Sequence, residues 1–234
     1  MAQDNSLYPK FDHDEYARSC APEDFLGQTR RTVQGKPVPQ EQIDMIVNAV
    51  QTKLDIRKDD TLLEIACGNG YVSRLLFDSV AAYLGVDFSE YLISVAKKNF
   101  ERPPHHLFTM SGAAEYARGE AHPERFTKAL CYASFCYFPE PDAREVLHRL
   151  YERFTRLERV LIGNLPDRSR ARDFYKNRTP SSEELADWST AIGTWRTPEE
   201  FTQMAGDAGW KVQISTMPPE FFSAYYRFDA LLTR

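Results

Sequence analysis

The chain has 234 residues, 42% of them apolar, with 29 basic and 34 acidic side chains and a formal net charge of −5. That is enough for one α/β domain with a full core and a small extra element. The mildly negative balance argues against general binding to nucleic acid or to an anionic membrane. No apolar run reaches the about 18–20 residues a membrane helix needs, and the polar start Met1-Ala2-Gln3-Asp4-Asn5 does not read as a signal peptide, so a cytoplasmic protein is expected. Cys20, Cys67, Cys131 and Cys136 show no C-x-x-C spacing. Reduced thiols are expected, with no disulfide and no metal site.

Taken in chain order, the first ordered element is the aromatic stretch Tyr8–Tyr16, where Tyr8, Phe11 and Tyr16 argue against a disordered terminus. Gln40–Leu54 places Ile43, Ile46, Val47, Val50 and Leu54 on one helical face. Thr61–Ala66 is an apolar strand, and it runs into the turn Cys67-Gly68-Asn69-Gly70. The glycines let the backbone turn sharply and approach a ligand, and the following segment, Tyr71–Val80, predicts a helix whose free N–H groups point at the same place. A second strand, Tyr83–Val86, ends in Asp87. In a doubly wound sheet such a carboxylate sits at the tip of the neighbouring strand, where it can accept hydrogen bonds from both hydroxyls of a ribose.

Two residues select the cofactor. A dinucleotide turn usually carries a third glycine or alanine, and here Ser73 stands at that place. Glu64, at the end of the first strand, would repel a pyrophosphate but suits a cationic ligand. Glu64-x-Ala66-x-Gly68-x-Gly70 followed by Asp87 resembles the class I S-adenosylmethionine-dependent methyltransferases, and by order of elements the resemblance runs from about Gln40 to the C-terminus. It implies an α/β fold with a doubly wound, seven-stranded, mostly parallel sheet carrying one antiparallel strand. It also implies S-adenosylmethionine as cofactor. The division it implies is a lid or cap segment over residues 1–39 and a cofactor-binding domain over 40–234, with a cap insertion at about 165–196.

The later elements agree. Ser89 reads as the N-cap of a helix running to about Phe100, and Leu107–Met110 as a third strand. Phe126–Ala133 is a fourth strand, followed by the helix Ala143–Phe154, and Val160–Gly163 is a fifth. Thr197-Pro198-Glu199-Glu200 is a capping box with proline at the first helical position, and Gly209 supplies the stop. Lys211–Thr216 and Tyr226–Leu232 close the chain as two strands joined by a short loop, and so must be antiparallel.

Ligands of open α/β sheets bind outside the carboxyl ends of the strands. This sorts the candidates. The resemblance assigns cofactor contacts to Glu64, Ala66, Gly68, Asn69, Gly70, Asp87, Phe88, Ser111, Gly112 and Ser134. The segment after strand three lacks the acidic residue that often reads the adenine, so Ser111 or a backbone amide would serve. His105, His106 and His122 precede strands and His148 lies in a crossover helix, which leaves His13, in the lid, as the one histidine placed near the site. Candidate bases on the ligand edge are His13, Tyr137, Glu140, Asp142 and Asp167, of which His13, Tyr137 and Asp167 are carried forward as catalytic. Arg168, Arg172 and Tyr225 are candidate acceptor contacts within or near the insertion, whose arginines suit a phosphate or carboxylate. Trp188, Trp195, Phe221, Phe222 and Tyr226 suit an apolar pocket wall.

The fourth strand is not followed by the Asn/Asp-Pro-Pro-Tyr/Phe tetrad that holds a base amino group in nucleic-acid methyltransferases; Ser134-Phe135-Cys136-Tyr137 stands there. The expected partner is therefore a small-molecule methyl acceptor, anionic if the arginines reach it, with no nucleic acid and no membrane. O-methylation is favoured because several bases face the site. The segment Ile162–Asp167 resembles bacterial enzymes acting on cell-surface sugar precursors or secondary metabolites. The alternatives are an N-methyltransferase for a small amine, a cofactor-binding regulator without transfer, and an NAD-dependent oxidoreductase, which Glu64 and Ser73 disfavour.

Overall fold

The computed structural model describes residues 11–234. Seven strands form one sheet: β1 (Thr61–Ile65), β2 (Ala82–Asp87), β3 (His106–Met110), β4 (Lys128–Tyr132), β5 (Arg159–Pro166), β6 (Lys211–Ser215) and β7 (Arg227–Thr233). Their spatial order is β3-β2-β1-β4-β5-β7-β6. Neighbours from β3 to β5 pair in parallel, and β7 is antiparallel to both β5 and β6. The chain reverses direction between β1 and β4, so the switch point lies at their carboxyl ends.

Helices cover both faces. On one lie α3 (Gln40–Leu54) and α4 (Glu90–Phe100), whose Ile43, Ile46, Val50, Leu54, Ile93 and Ala96 pack with Leu62, Leu130 and Leu161 of the sheet. The other carries α5 (Ala113–Gly119), α6 (Glu140–Arg153) and α9 (Pro198–Asp207), with Val146, Leu150, Phe201 and Met204 against Leu63, Ile65 and Ile162. Alternate residues of each central strand thus feed opposite cores, as a sheet buried on both faces requires. Caps set the helix starts. Ser89 accepts from the Leu92 N–H, and Thr197 forms the expected capping box with Glu200. Gly209 follows α9 at φ +103°, the left-handed conformation a helix stop needs.

The expected crossover helix over Tyr71–Val80 is a 3₁₀ helix, Ser73–Ser79. Its buried Ser73 and Leu76 stand three residues apart, one 3₁₀ turn, and with Phe77 they face the sheet. Strand four is shorter than expected, because Phe126 packs on Phe154 outside the ladder; strand five is longer. Ahead of the sheet stand α1 (His13–Ser19), α2 (Phe25–Gln28) and a hairpin of Thr32–Val33 with Lys36–Pro37. After β5, α7 (Ala171–Tyr175) and α8 (Ser182–Ala186) form an insertion closed at its base by a bridge between Asp167 and Arg196. Its core is Trp195 on Ala171, Phe174, Tyr175 and Tyr226.

Charges at the amino edge are structural. Lys128, fully buried at the start of β4, is neutralised by Glu158 at 2.5 Å and Asp60 at 3.9 Å. Among the described residues no helix is long and apolar enough to cross a membrane.

Candidate active site at the carboxyl edge of the sheet

Three residues just past central strands hold left-handed backbone without being glycine: Ala66 after β1 (φ +58°), Ala133 after β4 (φ +62°) and Asn164 within β5 (φ +60°). Strain of this kind collects where a chain is bent around a ligand. Gly68 (φ +59°) and Gly70 (φ +72°) continue the bend after β1. A Cβ on Gly70 would stand 2.5 Å from the Phe108 ring, and one on Gly68 3.1 Å from Thr29 Cγ2. The first glycine allows the core to close under the turn, and the second allows the end of α2 to close over it.

Asp87 is buried at the tip of β2. Its Oδ2 accepts from the Gly68 N–H at 2.8 Å and its Oδ1 from the Ser89 N–H at 2.9 Å. Burial raises its pKa from the usual carboxylate value, and the N–H donors of Ser89 and Gly68 oppose that shift. Glu64 is buried too, and Tyr83 donates to it at 2.7 Å. Burial pushes Glu64 up to about 7, against hydrogen bonds from Ser73 and Tyr83 and the charge of Arg31. Phe88 (63% exposed) and Met110 (56%) lie bare beside them at the ends of β2 and β3. Two buried carboxylates, a glycine cradle and an uncovered apolar ledge fit a cationic nucleoside: carboxylates for its charges and ribose, the ledge for its base.

Other candidates take more local roles. The Asn69 amide donates to the Phe25 carbonyl and to Gln28 Oε1, both at 2.9 Å, tying α2 to the turn. Ser134 Oγ donates to the Ala66 carbonyl at 3.3 Å and so joins the loops after β1 and β4. Ser111 Oγ lies 3.4 Å from Glu115 Oε2, with Gly112 as the N-cap of α5. The carboxylate that the sequence lacks beside Ser111 is thus supplied one helical turn later.

The N-terminal elements lie across this edge. Tyr8, and the rest of the expected lid before Phe11, is outside the described residues. Asp14 of α1 bonds the Ser89 hydroxyl, Phe11 N–H donates to the Ser189 carbonyl at 2.8 Å, and the His13 ring packs on Tyr137 at 4.1 Å between centroids. Helix α1 therefore bridges the loops after β2 and β4 and the insertion. His13 Nε2 is buried without a hydrogen-bond partner. Burial and the nearby Arg30 charge lower its pKa to about 4, so the imidazole is neutral at neutral pH. The Tyr137 hydroxyl donates to the Ala191 carbonyl at 3.1 Å, and burial raises its pKa from the ordinary value.

The structure does not bring every candidate together. Asp167 is buried, but its Oδ1 accepts from Ser169 N–H and Oγ in its own loop. Arg168 is paired with Glu200 of α9, and Glu140 with Arg144 and Arg196. Arg178 forks onto both oxygens of Glu184 at 2.5 Å. Arg172 is exposed, lining an open cleft of about 450 Å³ with Lys176, Asn177, Arg178 and Thr179. Tyr225 and Trp188 are about half exposed, whereas Trp195 and Phe221 are core. Sequence reasoning missed Phe25, Gln28 and Thr29 as parts of the site, along with Arg31 and Arg227.

A parallel sheet of this order with an antiparallel β7, a glycine turn after β1 and a carboxylate ending β2 make up the Rossmann-like methyltransferase fold. Residues 62–155 match the family model described as a methyltransferase domain. The matched segment carries the strands and the turn of the site, and the fold is the one that S-adenosylmethionine-dependent methyltransferases share. No curated protein sequence matches it. Among solved structures, a chain from the complex with the Haloferax volcanii Trm112 methyltransferase activator is similar at 12% identity, covering 97% of this chain and 99% of that one, with a TM-score of 0.65. The magnesium protoporphyrin IX methyltransferase of Synechocystis PCC 6803, with bound SAH, is 15% identical over 83% of each chain at a TM-score of 0.59. The small RNA methyltransferase HEN1 is 17% identical, over 85% of this chain and 25% of its own, at 0.57. At these identities the likeness is one of fold.

Proposed function

We propose that the chain O-methylates a small polar acceptor, with His13 taking the proton of the reacting hydroxyl. The observation that carries this reading is the buried, unpartnered Nε2 of a neutral imidazole on the ligand edge, against Tyr137. A hydroxyl needs to lose its proton as the new bond forms, and a neutral ring nitrogen within reach serves as general base.

When bound, the cofactor supplies a methyl group already activated on a sulfonium, which leaves as a neutral thioether. The protein's part is alignment and exclusion of water. Gly68 and Gly70 would let the backbone approach the ligand, Asp87 would accept from the ribose hydroxyls, Phe88 would support the base, and Glu64 would face the cationic end. Residues 1–39 would act as the lid, and α1 supports that role by its bonds to three separate loops. The segment 165–196 would cap the acceptor. Sugar precursors and secondary metabolites are the favoured acceptors, and the absence of the base-holding tetrad after β4 favours them over a nucleic acid. The neighbours' names span a porphyrin and a small RNA, so the choice rests on the site and not on the fold.

The test is a transfer assay with methyl-labelled cofactor over a panel of hydroxylated, aminated and carboxylated metabolites. Label on an oxygen, lost in His13→Ala, supports the reading. Label found only on nitrogen, or O-transfer at full rate in His13→Ala, overturns it.

A further inference from the structure

Two arginines lie at the carboxyl edge with no salt bridge among the described residues, Glu64 being the carboxylate whose charge reaches Arg31. Arg227, the first residue of β7, is 8% exposed; its Nη1 donates to the Asn164 carbonyl at 2.5 Å and its guanidinium lies 4.9 Å from the Tyr226 ring centroid. The Cys136 thiol lies against it as well. Arg31 projects from the N-terminal segment to 5.8 Å from the Tyr132 ring centroid and, among the described residues, makes no side-chain hydrogen bond or ion pair. Burial lowers its pKa from the usual guanidinium value, Tyr132 and Glu64 oppose that shift, and Arg227 adds repulsion. Beside both, the Tyr132 hydroxyl is buried with no partner, on a residue 3% exposed.

The carboxylates near this cluster are already engaged. Asp229 accepts from Lys53 Nζ at 2.5 Å and from the Asn164 N–H at 2.6 Å, and Glu64 accepts from Tyr83. What remains is the Arg31 guanidinium and the Tyr132 hydroxyl, which meet no hydrogen-bond acceptor among the described residues, beside an Arg227 that spends one N–H on the Asn164 carbonyl. A buried hydroxyl left unpaired is costly, and so is a half-buried guanidinium whose nearest carboxylate, Glu64, is bonded to Tyr83. The arrangement makes sense if a ligand completes it. Planar guanidinium forks match the oxygens of a carboxylate or phosphate.

We propose that Arg31, Arg227 and the Tyr132 hydroxyl bind an oxyanion on the methyl acceptor, so that the substrates of this chain are acidic small molecules. The inference rests on the transfer reading above and names its substrate class. It moves the anion site from the exposed insertion to the buried edge, 4.1 Å-packed His13 and Tyr137 forming the neighbouring wall. An acceptor held there by its anion would present a second group, its hydroxyl, toward His13.

The test uses the full chain saturated with S-adenosylhomocysteine and titrated by calorimetry with benzoate, phenyl phosphate and the neutral benzamide. At least one anion should bind ten-fold or more tightly than benzamide, and which one does separates a carboxylate from a phosphate. Arg31→Gln should remove that ten-fold preference, and Tyr132→Phe should reduce it about three-fold while keeping wild-type affinity for S-adenosylhomocysteine. Arg227→Lys, which keeps the charge but not the fork, should retain the fold and lose most of the preference. Equal binding of anions and amide overturns the proposal. So does a preference that survives Arg31→Gln, or one that disappears in Arg172→Ala instead. Anion binding through Arg31 in a chain that methylates no hydroxyl would overturn the O-transfer reading and leave the anion site standing.

Discussion

Gly68 and Asp87 hold each other in place: the Gly68 N–H donates to Asp87 Oδ2 at 2.8 Å, fastening the turn after β1 to the tip of β2. The other oxygen of the same carboxylate receives the Ser89 N–H, where α4 begins. A carboxylate has about four acceptor positions, so two remain for a ligand after these bonds are made. Asp87→Ala should therefore act twice, unpairing the ribose and loosening the turn, and weaken binding of S-adenosylmethionine by ~1.5–3 kcal/mol. Calorimetry giving equal affinities for wild type and variant would refute the role assigned to Asp87.

The two glycines of the turn should fail in different ways. A side chain at Gly70 meets the Phe108 ring 2.5 Å away and must also adopt φ +72°. Gly70→Ala is thus expected to destabilise the fold by about 1–3 kcal/mol, seen as a lower melting temperature. Gly68→Val meets only Thr29 Cγ2, at 3.1 Å, and its strain falls where the cofactor passes. Cofactor binding should be lost with a smaller drop in melting temperature. A Gly68→Val protein that binds normally would place the cofactor elsewhere.

Glu64 predicts a pH dependence. Burial raises its pKa in the empty protein from 4.5 to about 7, so the folded state holds its proton more tightly than the unfolded chain. Its contribution to stability is then full below pH 4.5 and is lost as pH rises through about 7. A cationic ligand reverses the preference, because it favours the ionised carboxylate. Affinity for S-adenosylmethionine should fall as pH drops from 7 toward 5.5, by at most a factor of ten per unit for one proton. Calorimetry across this range should show the slope in wild type and a flat profile in Glu64→Gln; a slope common to both would assign it to another group.

The sheet was legible because its evidence is local. Thr61–Ile65 and Lys128–Tyr132 are apolar on both faces, Ser89 and Thr197 are strong caps, and the strand-end rule then sorts every loop to one edge. The 3₁₀ winding of Ser73–Ser79 was not legible, since a buried i, i+3 pattern also suits an α-helix. The part of the site missed most depends on contacts far apart in sequence. Nothing near Asn69 announces that its amide will be spent on Phe25 and Gln28, and nothing near Arg168 that Glu200 will claim it. Arg31 and Arg227 look like ordinary charges in the sequence. Only the fold shows that β7 and the N-terminal segment bring them to the same buried place.

In the function proposed above, His13 would tie the lid to the chemistry. Its pKa falls to about 4 in the folded protein, against 6.5 when exposed, because its ring is buried against Tyr137 and Arg30 stands nearby. A depressed value means that the open, solvated imidazole binds its proton first as pH falls. The contribution of His13 to lid closure is therefore full above pH 6.5 and is lost as pH drops from 6.5 toward 4, reaching about 3 kcal/mol. Hydrogen exchange over residues 11–19 should speed up across that window in wild type and not in His13→Gln. Turnover should fall in the same window, since protonation removes both the base and the lid. At pH 7.5, where the lid is closed in both proteins, His13→Gln should lower kcat by about 10²–10⁴ and leave the affinity for S-adenosylhomocysteine unchanged. A variant with wild-type kcat and altered exchange would make His13 a lid residue alone, leaving the acceptor hydroxyl to lose its proton to another group or to water.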